Sequence, residues 1–393
     1  MIINNAADEV AHGRLAMTLH SRVCDILGIK YPILLAGMGG ASVPRLAAAV
    51  SNAGGLGVLG AAACSPDQLR EWIRETRSLT DKPFGVDTLL PASVRREAYK
   101  GKAGPSPMDL LPEYQKFAQD FLKKENIPPL KSRARESEEA HRSSKSSAPL
   151  FSKEFFEAQM EVVVEERVPV YAAGLGNPGP WLDRLHANGT KVMAVVGAVK
   201  HALQVVNSGI DLIVAQGHDG GGHNSPIGTM ALIPQVVDAV AGRIPVLGAG
   251  GISDGRGIAA AMMLGAEGAW IGTAFLATDE AGIEDFQKEA IVESGDGDTL
   301  VSRTVTGKPA RIIRNKWSEA FVEAGLEPLP MPFQPMVAMP VLAAAAAVKR
   351  KDIAPGFAGQ GMGLIHKVKP AAEVMADLVK SAESSLSSAN AYL

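Results

Sequence analysis

Cysteine is scarce: Cys24 and Cys64 are the only two in 393 residues. They are too few and too unpatterned for a disulfide framework or a metal site, and both read as reduced, small apolar core residues. There is no His-Glu-x-x-His helix, no His/Cys cluster and no Gly-x-Ser-x-Gly turn. The sequence therefore offers neither a metal constellation nor a serine nucleophile. An excess of one charge is also missing, with Lys+Arg 39 against Asp+Glu 42 and a net charge of -3. That balance argues against a nucleic-acid or acidic-membrane partner, which would call for a clustered basic surface. Long apolar runs are absent too. The most apolar window, 47–64, is broken by Ser51, Asn52 and Gly54-Gly55, so it reads as helix, turn and strand and not as a membrane span. Residues 1–14 carry Asp8 and Glu9 and lack the apolar centre of a secretory signal, so a cytoplasmic location is the expectation.

What the chain has is a large apolar fraction, 46%, and 41 glycines. The glycines gather at the ends of short apolar runs. Eight such runs read as strands: 31–37, 56–60, 82–89, 168–175, 191–196, 212–215, 245–247 and 269–275. Helical patterns separate them, opened by Pro44, by Ser65-Pro66-Asp67, by Ser152 and by Asp254. Regular βα alternation implies a parallel sheet with right-handed crossovers, and eight units is the number that closes a (β/α)8 TIM barrel. An open doubly wound sheet is the competitor; in either fold, ligands sit at the C-terminal strand ends.

The rhythm breaks twice. The predicted organisation is an N-terminal arm over 1–20, a barrel over 21–90 and 151–280, an insertion over 91–150 and a helical C-terminal extension over 281–393. Leu110, Tyr114, Phe117 and Phe121 mark one face of an amphipathic helix in the insertion, expected to act as a lid or a subunit contact; a homodimer is left open. The Ser/Arg/Glu/Lys tract 131–148 lacks apolar periodicity and is expected to be mobile. In the extension, helices are expected over 286–292, 316–324, 341–348 and 370–382, with a Pro/Met-rich connection over 328–340.

The chemistry concentrates where the sixth strand ends. Leu212 to Ala215 run into Gln216, four glycines follow (Gly217, Gly220, Gly221 and Gly222), and His223 closes the run. Glycines let backbone pass close to a ligand, and a histidine at the mouth of a barrel is a candidate acid–base group. His218 reads as a loop neighbour, and His186, His201 and His366 as surface residues. Ala249-Gly250-Gly251 and Gly272-Thr273 follow strands seven and eight, where barrels commonly hold a phosphate on main-chain N–H groups. Tight turns alone would also explain these glycines. A dinucleotide fingerprint fits less well, because Ser253 stands where the third glycine belongs.

These pieces carry a resemblance. Ala36-Gly37-Met38, Phe84-Gly85-Val86-Asp87, Ala215-Gln216-Gly217 with Gly221-Gly222-His223, Gly248-Ala249-Gly250-Gly251-Ile252, Gly272-Thr273-Ala274-Phe275 and Ala358-Gly359-Gln360 occur in that order. Together, over about 21–370, the set resembles the FMN-dependent nitronate monooxygenase family, formerly called 2-nitropropane dioxygenases and related to the flavin-containing bacterial enoyl-ACP reductases. The resemblance implies non-covalent FMN across the barrel mouth. It places Ala36, Gly37 and Met38 against the ring edge, and Asp87 near the flavin. Gln216 would bond to the ring, and Gly221 and Gly222 would let the loop close over it. Ala249, Gly250, Gly251, Gly272 and Thr273 would hold the phosphate, and Gln360 would bring the C-terminal segment back. His223 would be the base that takes a nitroalkane proton, with O2 as co-substrate and a carbonyl compound and nitrite as products. An NAD(P)H-dependent FMN reductase on the same barrel is the alternative. Three departures bear on the substrate more than on the cofactor: Asp87 where the family commonly has Asn, Asp219 and Gly220 where many members have Glu and Ala, and a long insertion.

Overall fold

Short apolar runs with little room for polar backbone pair with one another, and here they do so in parallel. In the computed structural model, which describes residues 19–90, 106–130, 152–389 and 391, eight parallel strands form one sheet. They are β1 (Ile33–Leu35), β2 (Gly57–Gly60), β3 (Phe84–Leu89), β4 (Val170–Leu175), β5 (Lys191–Val196), β6 (Leu212–Gln216), β8 (Val246–Ala249) and β9 (Ala269–Ile271), while β7 (Gly222–His223) lies outside this sheet. The spatial order is β1-β9-β8-β6-β5-β4-β3-β2. A parallel bridge between Leu34 and Leu56 shuts the ring, with Leu35 N–H on Leu56 O and Leu56 N–H on Ile33 O. The TIM barrel expected from the alternation is what forms.

Period-two alternation divides each strand between two cores. Leu212 and Val214 turn into the barrel with Leu34, Val58, Met193 and Leu247, while Ile213 and Ala215 face the helix layer. Helix α1 (Arg22–Leu27) adds Val23, Cys24 and Leu27 to the inner cluster and so plugs the barrel below β1.

Seven helices flank the strands in sequence: α2 (Pro44–Asn52), α3 (Pro66–Leu79), α5 (Lys153–Glu165), α6 (Leu182–Ala187), α7 (Val199–Val206), α8 (Thr229–Val240) and α9 (Gly255–Met263). Between α3 and α5 the chain forms α4 (Pro107–Lys124). After β9 come the one-turn α10 (Thr273–Leu276), α11 (Asp285–Glu293), the strands β10 (Thr299–Ser302) and β11 (Ala310–Ile313), α12 (Lys316–Glu323), α13 (Phe333–Ala347) and α14 (Ala371–Ala389). The eighth helix position of the barrel is filled by α14, which packs on α9 and α2 and buries Met375, Leu378 and Ala382. Its approach is so close that a Cβ on Gly255 would fall 2.1 Å from Ala382 N.

Four local expectations are revised. The eighth strand stops at Ile271 and not at 275, because Phe275 and Leu276 N–H turn back to Gly272 O and start α10. Helix α13 begins at Phe333, inside the expected 328–340 connection, and carries Pro340 within it. The β10–β11 hairpin lies where no strand was expected, and β11 pairs antiparallel with β7. The apolar face of α4 is covered by this chain itself: Tyr114 and Phe121 are buried with Trp317, Phe321, Val337 and Val341. Trp317 meets Phe321 edge-on, 5.0 Å between ring centres, and the Tyr114 hydroxyl donates to Glu327 O. The two interruptions of the barrel thus build one shared lobe. The tract 131–148 lies outside the described residues. Among the described residues no helix is long and apolar enough to cross a membrane.

Candidate active site

The inward side chains nearest the C-terminal strand ends include Ala36, Asp87, Gly174, Val195, Gln216 and Ala249, and these form the floor of a cavity of about 1480 Å³. Small, uncharged residues dominate, so the floor is flat; Asp87 and Gln216 are the polar members of this group. Met38, Gly221, Gly222, His223, Gly250, Gly251, Gly272 and Thr273 rise around it. Of the residues that the resemblance assigns to the flavin and to the base, all but Gln360 line this one cavity. The Gln360 side chain is exposed, and its backbone N–H instead bonds Asp219 O at 2.9 Å.

The glycine run after β6 folds back as β7, so His223 stands on a strand and not in a free loop. His223 is paired with Ala310 on β11. The Gln216 amide donates to His223 O at 2.9 Å, linking the floor to this loop. His223 Nε2 lies 2.9 Å from Thr306 Oγ1, whose own hydroxyl has Lys308 O within reach at 3.2 Å. Burial, with the positive charge of Lys308, pulls the imidazole down from 6.5 to about 4, so it is neutral at physiological pH.

Below this loop, Arg311 is buried and forks two N–H groups onto His218 O, at 3.0 and 3.2 Å, with a third on Thr299 Oγ1. Burial lowers its pKa, partly offset by Asp219. The Asp219 carboxylate accepts the Thr229 N–H at the start of α8, and Thr229 Oγ1 donates to Gly250 O. Gly250 and Gly251 both take positive φ, 101° and 72°, so this turn is open only to residues without a Cβ. Thr273 Oγ1 accepts the Gly359 N–H at 3.0 Å, which ties the C-terminal segment to the strand ends. Asp87 is buried at the floor, and its carboxyl pKa is pushed well above the usual carboxylate range by that burial.

A family model described as nitronate monooxygenase matches residues 20–381. The chain belongs to the nitronate monooxygenase family. A Mycobacterium tuberculosis protein named as a monooxygenase is 37% identical over 376 residues, covering 92% of this chain and 96% of that one. A nitronate monooxygenase of Staphylococcus saprophyticus, so named, is 37% identical over 77% of this chain and 80% of its own length. Among solved structures, a nitroalkane oxidase from Streptomyces ansochromogenes superposes with a TM-score of 0.76 at 28% identity, covering 93% of this chain and 99% of that one. FabK from Thermotoga maritima gives 0.72 at 33% identity, covering 96% and 100%. As a nitronate monooxygenase family member the chain is a flavin-dependent oxidoreductase.

Within this family frame, sequence reasoning missed Thr306, which reaches the site from the turn of the β10–β11 hairpin, and Arg311, which braces the adjoining loop at His218 O. It also missed the apolar wall that Met339, Leu342 and Ile353 contribute from the extension, and His201, an exposed residue that nevertheless lines the mouth. The one available signal for the hairpin was the β-branched content on either side of Thr306-Gly307.

Proposed function

We propose that the chain is an FMN-dependent nitronate monooxygenase that oxidises alkyl nitronates or nitroalkanes with O2 to carbonyl compounds and nitrite, with His223 as general base. The observation that carries this reading is a neutral imidazole on the wall of a flat, glycine-bordered cavity in a member of this family. The residues present suit FMN. A floor of alanine, glycine and valine accepts a planar ring, and the positive-φ Gly250-Gly251 turn beside Gly272-Thr273 offers main chain where a phosphate would be held. Ala36, Gly37 and Met38 would flank the ring. When bound, FMN supplies the electron exchange with O2 that no side chain can provide.

The rest is the work of the protein's own groups. With Nε2–H donated to Thr306, and the Thr306 hydroxyl directed to Lys308 O, Nδ1 is left as the basic nitrogen. A base kept neutral by burial can take the acidic proton from the carbon beside a nitro group. A nitronate has already lost that proton and does not need the step. Oxygen consumption and nitrite release with 2-nitropropane and with propionate 3-nitronate test the reading. His223→Asn should cut nitroalkane turnover by about 100-fold or more, and far more than nitronate turnover. Absence of nitrite from the unaltered protein with both compounds refutes it.

The likeness to FabK, at 33% identity, favours a second reading as an NAD(P)H-dependent FMN reductase. Anaerobic mixing with NADPH or NADH decides between the two, since rapid flavin bleaching belongs to the reductase.

A further inference from the structure

Of the two polar side chains on the cavity floor, Gln216 is engaged with the backbone of His223, whereas Asp87 has no such task. Its carboxyl sits in a slot shaped for it. A Cβ on Gly37 would lie 2.2 Å from Asp87 Cβ and 2.5 Å from Oδ2, and one on Gly174 would lie 2.6 Å from Oδ1. Both neighbours must therefore stay bare for the carboxyl to fit. Asp87 itself is only 7% exposed, and that exposure is to the cavity.

Among the described residues, its surroundings hold no counter-charge. From β2 it is paired with Gly60, from β4 with Ala172, and the Gly174 N–H is the one hydrogen bond acting on it. Tyr171 on β4 brings no positive charge either: it is a neutral phenol, held so by burial and bonded to Thr88 Oγ1 at 2.9 Å. None of the ionisable groups on the cavity wall (Lys200, His201, His223 and Glu284) is among the influences on it. A carboxyl desolvated this way with one amide donor and no cation keeps its proton. A protonated carboxyl is planar, with one O–H donor and a carbonyl acceptor, the pattern a side-chain amide also has.

We propose that Asp87 stands on the floor as a neutral carboxylic acid and donates its O–H hydrogen bond to an acceptor on the flavin ring. The proposal rests on the FMN reading of the site. Aspartate thus serves as the donor at a position where an ionised carboxylate, with no donor of its own, would set its lone pairs against those of the ring acceptor.

FMN dissociation constants, measured by flavin fluorescence at several pH values from 5 to 7 for the unaltered protein, Asp87→Asn and Asp87→Leu, test it. The FMN phosphate titrates at about 6 alike in all three proteins, so the expected result is a parent affinity that stays within about threefold of Asp87→Asn at every pH and is weakened about tenfold or more in Asp87→Leu. An infrared difference between the unaltered protein and Asp87→Asn at pH 7 should show a protonated carboxyl C=O stretch. Parent affinity that falls relative to Asp87→Asn as pH rises, with Asp87→Asn binding about tenfold more tightly at pH 7, overturns the proposal by showing an ionised group. So does a carboxylate band in the difference spectrum, or Asp87→Leu binding FMN as tightly as the parent. In those cases the parent still binds FMN and the cofactor reading survives; a parent that refuses FMN removes both.

Discussion

An imidazole in water titrates near 6.5, and burial beside Lys308 takes His223 to about 4. A base is useful only when unprotonated, so kcat/KM for a nitroalkane should be flat from pH 5 to 8 and fall only near pH 4. An inflection near 6.5 in that profile would contradict the assignment. Replacing Lys308 by Met should move the acid limb upward by removing a nearby positive charge. Stability follows the same displacement. The unfolded chain protonates His223 near 6.5 and the folded one only near 4, so stability drops as pH falls through that window, and His223→Asn should flatten the drop in denaturant melts. Asp87 has the opposite sign: its folded pKa lies above 3.8, so the cost of keeping it protonated grows as pH rises. Asp87→Asn should therefore raise the denaturation midpoint at pH 7, with the gain gone near pH 4. At this scale His223 was legible because four glycines precede it. Thr306 was not, because it lies 83 positions away and reaches His223 only through strand pairing.

The elements differ in how openly the sequence declares them. The eight barrel strands are apolar and short, all but β3 run into a glycine within two residues of their last position, and each could be read alone. The β10–β11 hairpin could not, because its partner is β7, a two-residue strand inside what reads as a glycine loop. Helix α10 was hidden inside the last strand for a related reason, since its one turn is set by Gly272 O and not by periodicity. The hairpin matters through Arg311, whose guanidinium fork ties β11 to the His218 carbonyl. Arg311→Met should leave that carbonyl with the Asn224 Nδ2–H alone and cost about 1–3 kcal/mol, measured as a lower denaturation midpoint. Arg311→Lys should recover only part of the loss, because an ammonium cannot reproduce the fork.

Across the molecule, the barrel was visible in the order of its strands, but the closing helix was not. The sequence marks 370–382 as a helix at the end of an extension; the structure runs it over Ala371–Ala389, and only the packing of Met375, Leu378 and Ala382 makes it the barrel's eighth. The amphipathic face of α4 was legible as apolar, yet nothing local could say that Trp317 and Phe321 cover it. Phe121→Ala should destabilise the shared lobe by about 3–5 kcal/mol, read from the same denaturation curves. Gly255→Val should disturb the α9–α14 contact, because a side chain there meets Ala382 N.

Because α14 comes last, a chain leaving the ribosome has made every group of the cavity before it can hoop the drum that carries them. The first helix after β1 must wait for a partner made more than 300 positions later. A chain cut short at residue 370 would carry His223, Asp87 and both glycine turns, yet leave α2 and α9 with a bare greasy seam between them.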